Sequence, residues 1–415
     1  MPRRITDAIL WVPSAAALQR RVGGMTIIER HLFLLAEAGA RRVWVGATRP
    51  RDADRLRLPP TLEVQWLGKD ADPPVDLRFP YLALGAGWLL RGRVLQAILA
   101  QPPARHTSWR AGGEGESVLQ VVPSRGERIL RYDQARLPPE ACVPVVTAGE
   151  TAAALPWLLD GVRKSGDGFM ARHFDRRLSM AVTRRLLETR VTPNDMTVLS
   201  SLIGLAGAAL LAFPGDGRSA AGALLVWLHT VLDGCDGELA RLKFQTSRFG
   251  GILDFWGDNL VHLALFACLA LGLWKLDRRA LHLWLGAAAC AGTLGSASLA
   301  FLHSLRRRGA ATCDHAPLFD GLAFHETSEP GAARTLAAIE DTLAQRDFIY
   351  LLVVAAALGQ ESVFLWAGAI GAPLFFAVML YLLARHSIRR AGTLPATPDR
   401  LAAAAAPTPI GGTRP

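Results

Sequence analysis

The sequence predicts an α/β cytoplasmic head followed by an all-α, six-helix transmembrane domain. Three observations carry that reading. Residues 1–160 alternate short apolar runs with amphipathic stretches, the rhythm of strands and helices in one layered domain. Residues 195–390 hold six apolar segments. The 415-residue chain is 51% hydrophobic yet has a net charge of +10, which suits a membrane body with polar parts outside the bilayer.

In the head, strands are predicted at 8–12, 42–46, 62–66, 81–84, 118–122 and 143–146, each rich in β-branched or aromatic residues. Residues 26–38 have helical periodicity and end at Gly39, a C-cap. Strand, helix, strand in that order predicts a mainly parallel sheet. Gly112-Gly-Glu-Gly-Glu-Ser117 reads as a flexible hairpin loop.

Residues 161–194 form a junction. Lys164-Ser-Gly-Asp167-Gly168 is a turn. After it, Arg172, Arg176, Arg177, Arg184 and Arg185 alternate with Phe174, Leu178, Met180, Val182 and Leu186. That pattern predicts a basic juxtamembrane amphipathic helix along the cytoplasmic interface. Val191-Thr192-Pro193-Asn194 marks the break before the body.

The six spans are predicted at 196–213, 220–240, 250–274, 281–302, 348–359 and 363–384. The fifth is short for a ~30 Å hydrocarbon core. With the head in the cytoplasm, Arg306-Arg307-Arg308 and the 385–390 stretch fall on the head's side, as the positive-inside rule asks. Lys275, Arg278 and Arg279 fall on the other side and run against it. The expected location is the cell inner membrane, multi-pass. A helix is expected around 332–345, and residues 391–415 read as a disordered tail. Cys313, Asp314 and His315 read as part of a solvated loop, and Arg346-Asp347 as a helix cap.

The basic balance points to anionic membrane and anionic substrates rather than nucleic acid, because no zinc-finger, helix-turn-helix or RNA-binding pattern appears. Cys142, Cys235, Cys268, Cys290 and Cys313 show no metal or redox spacing and read as small buried side chains. The first residues, Met-Pro-Arg-Arg-Ile-Thr-Asp, lack the apolar run of a signal peptide.

One stretch carries the chemistry. It reads Asp233-Gly-Cys-Asp236-Gly237-Glu-Leu-Ala240-Arg241, then Gly250, Asp254 and Asp258. On helical flanks Asp233, Asp236 and Ala240 share one face, and Asp254 and Asp258 lie ~40° apart on a second helix. The intervening residues let the helices turn antiparallel, so four carboxylates converge. Such like charges need cations to stay ionised, and all-oxygen ligands favour Mg²⁺ or Mn²⁺. Gly237 and Ala240 leave the face bare for a ligand, and Arg241 offers a fork suited to phosphate.

The spacing D-x-x-D-G-x-x-A-R-x8-G-x3-D-x3-D resembles the signature of the CDP-alcohol phosphotransferases, matched here at every fixed position including Gly250. The resemblance implies a CDP-linked donor, of CDP-diacylglycerol or CDP-inositol type, and attack by an acceptor alcohol, which can itself be phosphorylated, with release of CMP. It implies Asp233, Asp236 and Asp254 as ligands to two metal ions, Asp258 as ligand and general base, and Gly237, Ala240, Arg241 and Gly250 around the nucleotide. A homodimer within the lipid is also implied.

Gly23-Gly-Met-Thr-Ile-Ile-Glu-Arg30 through Val43-Trp-Val45 resembles the start of a sugar-nucleotidyltransferase domain. The stretch before it, 13–21, lacks that family's glycine spacing and lysine, and Gly85-Ala86-Gly87 stands where its metal-binding Asp belongs. The resemblance therefore implies a degenerate nucleotidyltransferase-like head. Head, junction and body together resemble fusions of inositol-1-phosphate cytidylyltransferase with di-inositol-phosphate-phosphate synthase. Two alternatives stand beside this reading: a bifunctional cytidylyltransferase/phosphotransferase, and a non-catalytic membrane scaffold.

Overall fold

A computed structural model describes residues 4–14, 19–50, 53–68, 73–111, 117–124, 133–162, 170–215, 217–308 and 348–392. The expected loop at 112–116, turn at 164–168, helix at 332–345 and tail from 393 lie outside these, as do Cys313, Asp314, His315, Arg346 and Asp347.

The head runs β1 (Asp7–Trp11), β2 (Arg21–Val22), β3 (Met25–Thr26), α1 (Ile27–Ala38), β4 (Arg42–Gly46), β5 (Glu63–Leu67), β6 (Tyr81–Gly85) and β7 (Trp88–Leu90). It continues with α2 (Gly92–Ala100), β8 (Thr107–Ala111), β9 (Ser117–Val122), β10 (Asp133–Leu137), β11 (Cys142–Pro144) and α3 (Ala148–Gly161). Seven strands form one sheet in the order β10-β8-β9-β6-β1-β4-β5. Ile9 at its centre faces Trp44 on β4 and Ala83 on β6, both in parallel register. Strand β9 runs antiparallel to both β6 and β8, so the sheet is mixed. The expected parallel order holds from β6 to β5 and gives way at β9. The predicted strand at 143–146 pairs with β7 in a separate ribbon.

Helix α1 starts where its sequence says it should. Thr26 and Glu29 form a reciprocal capping box, and Gly39 closes the helix at φ 105°. Its Ile28, Leu32 and Leu35 are buried with Ala8, Leu10, Val43 and Val45 of the central strands. Burial of each of these Ile, Leu and Val side chains contributes about 1.5–3 kcal/mol.

After the head come α4 (Arg176–Leu186), α5 (Pro193–Leu211), α6 (Arg218–Leu242), α7 (Arg248–Asp277), α8 (Ala280–Arg308), α9 (Phe348–Ala357) and α10 (Glu361–Gly392). All six predicted spans are helical. Four helical stretches are long and apolar enough to cross a membrane: Pro193–Leu211, Arg248–Asp277, Ala280–Arg306 and Glu361–Ala384. Helix α9 is only 10 residues long. Helix α6 has the length, at 25 residues, but carries Asp233, Asp236, Glu238 and Arg241.

The chain divides into two compact units. One takes in the chain to Gly204 together with Trp227–Asp258; the other takes in Leu205–Val226 and the helices from Asn259 on. In the second unit, Gly292 of α8 meets the backbone of Ala372 and Pro373 on α10, a closeness that leaves no room for a Cβ. Phe364 there stacks on both Phe266 and Phe348. Lys275 donates to the Ala212 carbonyl at 3.0 Å and lies over the Phe213 ring.

Candidate metal centre

In the first unit, the head, α4 and the carboxylate end of α6 share buried surface. Leu159 of α3, Leu187, Met196 of α5, and Cys235, Leu239 and Leu242 of α6 make one apolar cluster. That cluster fixes α6 in rotation, and with it the side chains on the opposite face.

Asp233 and Asp236 lie one turn apart on α6 and are buried, at 4% and 5% exposure. Asp254 of α7 is the most open of the group. Each offers a carboxylate oxygen, and the three oxygens lie within 4.8 Å of one another. Three hard anionic donors so close, two of them drawn out of water, fit a divalent cation with oxygen preference. Asp236 is further fixed by Thr197 Oγ1, whose hydroxyl donates to its Oδ2, and by the Gly237 amide. Thr197 is itself buried on α5.

Asp258 does not join this trio. It faces His229, whose Nε2 is 3.3 Å from Asp258 Oδ1, and it is about one-third exposed. Gly237 leaves space that the Arg241 guanidinium fills, 3.2 Å from where a Cβ would be. Arg241 Nη2 also donates to the Val162 carbonyl at 3.3 Å. The Ala240 carbonyl accepts from the Gln245 amide at 2.8 Å, closing the end of α6. Gly250 lies against Asn194 Oδ1, at 2.8 Å from a would-be Cβ, and its amide donates to Ser247 Oγ.

The sequence reading missed Glu238. Its side chain is fully buried and accepts from Arg176 Nη1 at 2.8 Å, Ser179 Oγ at 2.8 Å and Thr183 Oγ1 at 2.7 Å. Arg176 is therefore no part of the basic surface expected on α4; it is buried against the signature helix. Arg177, Arg184 and Arg185 remain exposed, beside exposed Phe174 and Leu178. The available signal was the 176, 179, 183 polar stripe, spaced by three and four residues. Gly257 was missed too: a Cβ there would lie 2.7 Å from Ser201 Oγ.

The head reaches the same helix end. Arg30 is 2% exposed and donates from Nε to the Val22 carbonyl, from Nη2 to Gly23 and from Nη1 to Leu242. Burial draws its guanidinium down to about 10, with Glu29 opposing the fall, so it stays charged at neutral pH. Arg57 Nη2 donates to the Lys243 carbonyl at 3.3 Å. Lys243 Nζ holds the carbonyls of Leu186, Thr189 and Val191 at 2.9–3.1 Å, capping α4. Gly24, at φ 79°, runs so close to the Leu187 carbonyl that a Cβ would lie 2.1 Å from it.

At the carboxyl ends of β1 and β4, where open α/β sheets receive ligands, the Trp11 ring covers Gly46 closely enough to meet a Cβ at 2.3 Å. Pro13 and Val146 close over Gly87 beside it.

Residues 190–318 match the family model described as CDP-alcohol phosphatidyltransferase. The bifunctional IPC transferase and DIPP synthase of Thermococcus kodakarensis is 42% identical over 111 residues, 26% of this chain and 24% of that protein. The protein so named from Rubrobacter xylanophilus is 40% identical over 217 residues, 51% of this chain and 45% of its own. The chain spans less than half the length of these relatives. Among solved structures, phosphatidylinositol phosphate synthase of Mycobacterium tuberculosis in complex with manganese and citrate gives a TM-score of 0.32 at 20% identity, covering 49% of this chain and 87% of that one.

Proposed function

We propose, from the match of residues 190–318 to the CDP-alcohol phosphatidyltransferase model, that the protein is a membrane enzyme moving a substituted phosphate from a CDP-linked donor to an acceptor alcohol, with release of CMP. The observation that carries this is the Asp233, Asp236 and Asp254 trio within 4.8 Å, on the family's spacing. Asp233, Asp236 and Asp254 would hold divalent metal, Mg²⁺ or Mn²⁺ and two ions in our reading. Bound there, the metal supplies charge neutralisation for the pyrophosphate and for leaving CMP.

The chain's own residues do the rest. Arg241, whose guanidinium fills the space over Gly237, would bring positive charge to the donor phosphates. Ala240 is read as leaving the nucleotide a close approach to the backbone. The space over Gly250 is taken by Asn194 and Ser247, so Gly250 would act by letting α5 and α7 approach rather than by admitting the nucleotide. Asp258, more open than Asp233 and Asp236 and oriented by His229, takes the proton from the acceptor hydroxyl as it attacks phosphorus. Thr197 holds Asp236 in its rotamer.

Donors of CDP-diacylglycerol or CDP-inositol type fit this reading, with an acceptor that can itself be phosphorylated. We place the six helices in the cell inner membrane with the head cytoplasmic, and read the protein as a homodimer with lipid around it. The head we read as a nucleotidyltransferase-like fold without nucleotidyl transfer, because Trp11 lies across Gly46 at the ligand end of the sheet. The test is CMP release from each donor against a panel of acceptor alcohols, with Mg²⁺ or Mn²⁺ present. No CMP from any pair would reject the transferase and favour a scaffold.

A further inference from the structure

We infer that the head is a brace for the carboxylate site, acting through the corner at 242–244; this rests on reading that site as a divalent-metal centre. The 23–30 segment, the part of the head most like a nucleotide-binding enzyme, faces α6 instead. Its Arg30 holds the last carbonyl of α6, at Leu242, 3.0 Å away. Arg57 holds the next carbonyl, at Lys243. The ring of Phe33 stacks on Phe244 with centroids 5.3 Å apart, and the Arg57 guanidinium lies over Phe33.

Phe244 is where the chain leaves α6. It has φ 51°, a left-handed conformation that a bulky side chain adopts only when its surroundings hold it. Phe33 of α1 stacks on it, and the two arginines hold the carbonyls of the two residues before it. Helix α6 before this corner carries Asp233 and Asp236, and α7 after it carries Asp254. A ligand set drawn from two helices takes its spacing from the turn between them. Asp236 lies six residues before Leu242, ~9 Å along the helix. A loosened corner therefore shifts one carboxylate against the other two, and metal affinity is sensitive to ligand displacements of a few tenths of an ångström. Phe33, Arg57 and Arg30 are positioning residues for the metal, though none touches it.

The test uses the full-length protein in detergent and reads Mn²⁺ binding by electron paramagnetic resonance titration, independent of turnover. Phe33 and Arg57 are not fully buried, so the Phe33→Ala/Arg57→Ala protein keeps the head's core. Its Mn²⁺ dissociation constant is expected to rise ~10-fold, the scale of losses when supports of metal ligands are removed. Phe33→Tyr alone, which keeps the stack, should bind as the parent does. Equal affinity in the double variant and the parent overturns the brace. A parent that binds no Mn²⁺ overturns the metal-centre reading and this inference with it, so the two failures are told apart.

Discussion

His229 Nε2 lies 3.3 Å from Asp258 Oδ1, tying a residue one turn ahead of Asp233 to the last carboxylate of the series. This separates Asp258 from the three clustered carboxylates and gives it a partner of its own. Asp258→Asn should lower turnover by ~10²-fold or more while donor affinity falls much less. Asp233→Asn should weaken both. Calorimetric titration of a CDP-linked donor with metal present decides it; equal losses of affinity would make Asp258 chiefly a ligand.

Asp254→Asn is isosteric and sits on the open side of the trio, so the protein should still fold and insert. Its metal-dependent CMP release should disappear. Full activity in this variant, or in the parent with excess chelator, would contradict the metal centre.

Removing the Glu238 carboxylate takes from buried Arg176 the anion that it donates to, and from the Ser179 and Thr183 hydroxyls the carboxylate oxygens that they donate to. Glu238→Leu should cost about 3–5 kcal/mol. Adding Arg176→Met should recover much of that, because both charges are then gone. Denaturant unfolding of the single and double variants gives the coupling; a simple sum of two losses would mean that the pair does not act together.

How much was legible follows from what each feature asks of the local chain. Of the four carboxylates expected to converge, three do, because three-residue spacing on one helix and a short turn to the next bring Asp233, Asp236 and Asp254 together. Asp258, one turn further along α7, is drawn to His229 instead, a tertiary contact that spacing does not show. The α1 boundaries were legible because Thr26, Glu29 and Gly39 act within the helix. Strands β8 and β10 were not. Asp133-Gln-Ala-Arg-Leu lies at the sheet edge, where polar residues are tolerated. Thr107-Ser-Trp-Arg-Ala lies one strand in, and its buried Ser108 is satisfied by Ser117 of β9; both are tertiary facts. Glu238 was hidden because its partners lie 55 to 62 residues away. Lys275 looked like a charge against the expected topology, yet it holds the Ala212 carbonyl.

His31 supplies a pH dependence. Its ring is 1% exposed, with Nδ1 2.7 Å from the Ile27 carbonyl and Nε2 2.9 Å from that of Trp88. Burial lowers its pKa below the ordinary value; the two carbonyls oppose that and do not overcome it. A lowered folded pKa means that the unfolded chain takes up the proton first. His31 thus supports the head fully above pH ~6.5, and that support is lost as pH falls below it. Denaturation midpoints should fall from pH 7 to pH 5, with a shallower fall in His31→Gln. Parallel slopes would place the acid sensitivity elsewhere.

Trp11 across Gly46 bears on the head's chemistry. The protein incubated with CTP and a sugar or inositol phosphate should release no pyrophosphate. Release at a rate matching CMP formation would instead make the enzyme bifunctional.

Arg30 and the carbonyl that it holds are 212 residues apart. Synthesis at ~5–20 residues per second puts roughly ten to forty seconds between their departures from the ribosome. The head therefore has time to fold before the end of α6 exists, and its guanidinium waits with one of three acceptors missing. The newborn helix meets a finished surface rather than folding beside it. Biogenesis of the site thus has a direction: the head acts as a mould, and the end of α6 is cast against it.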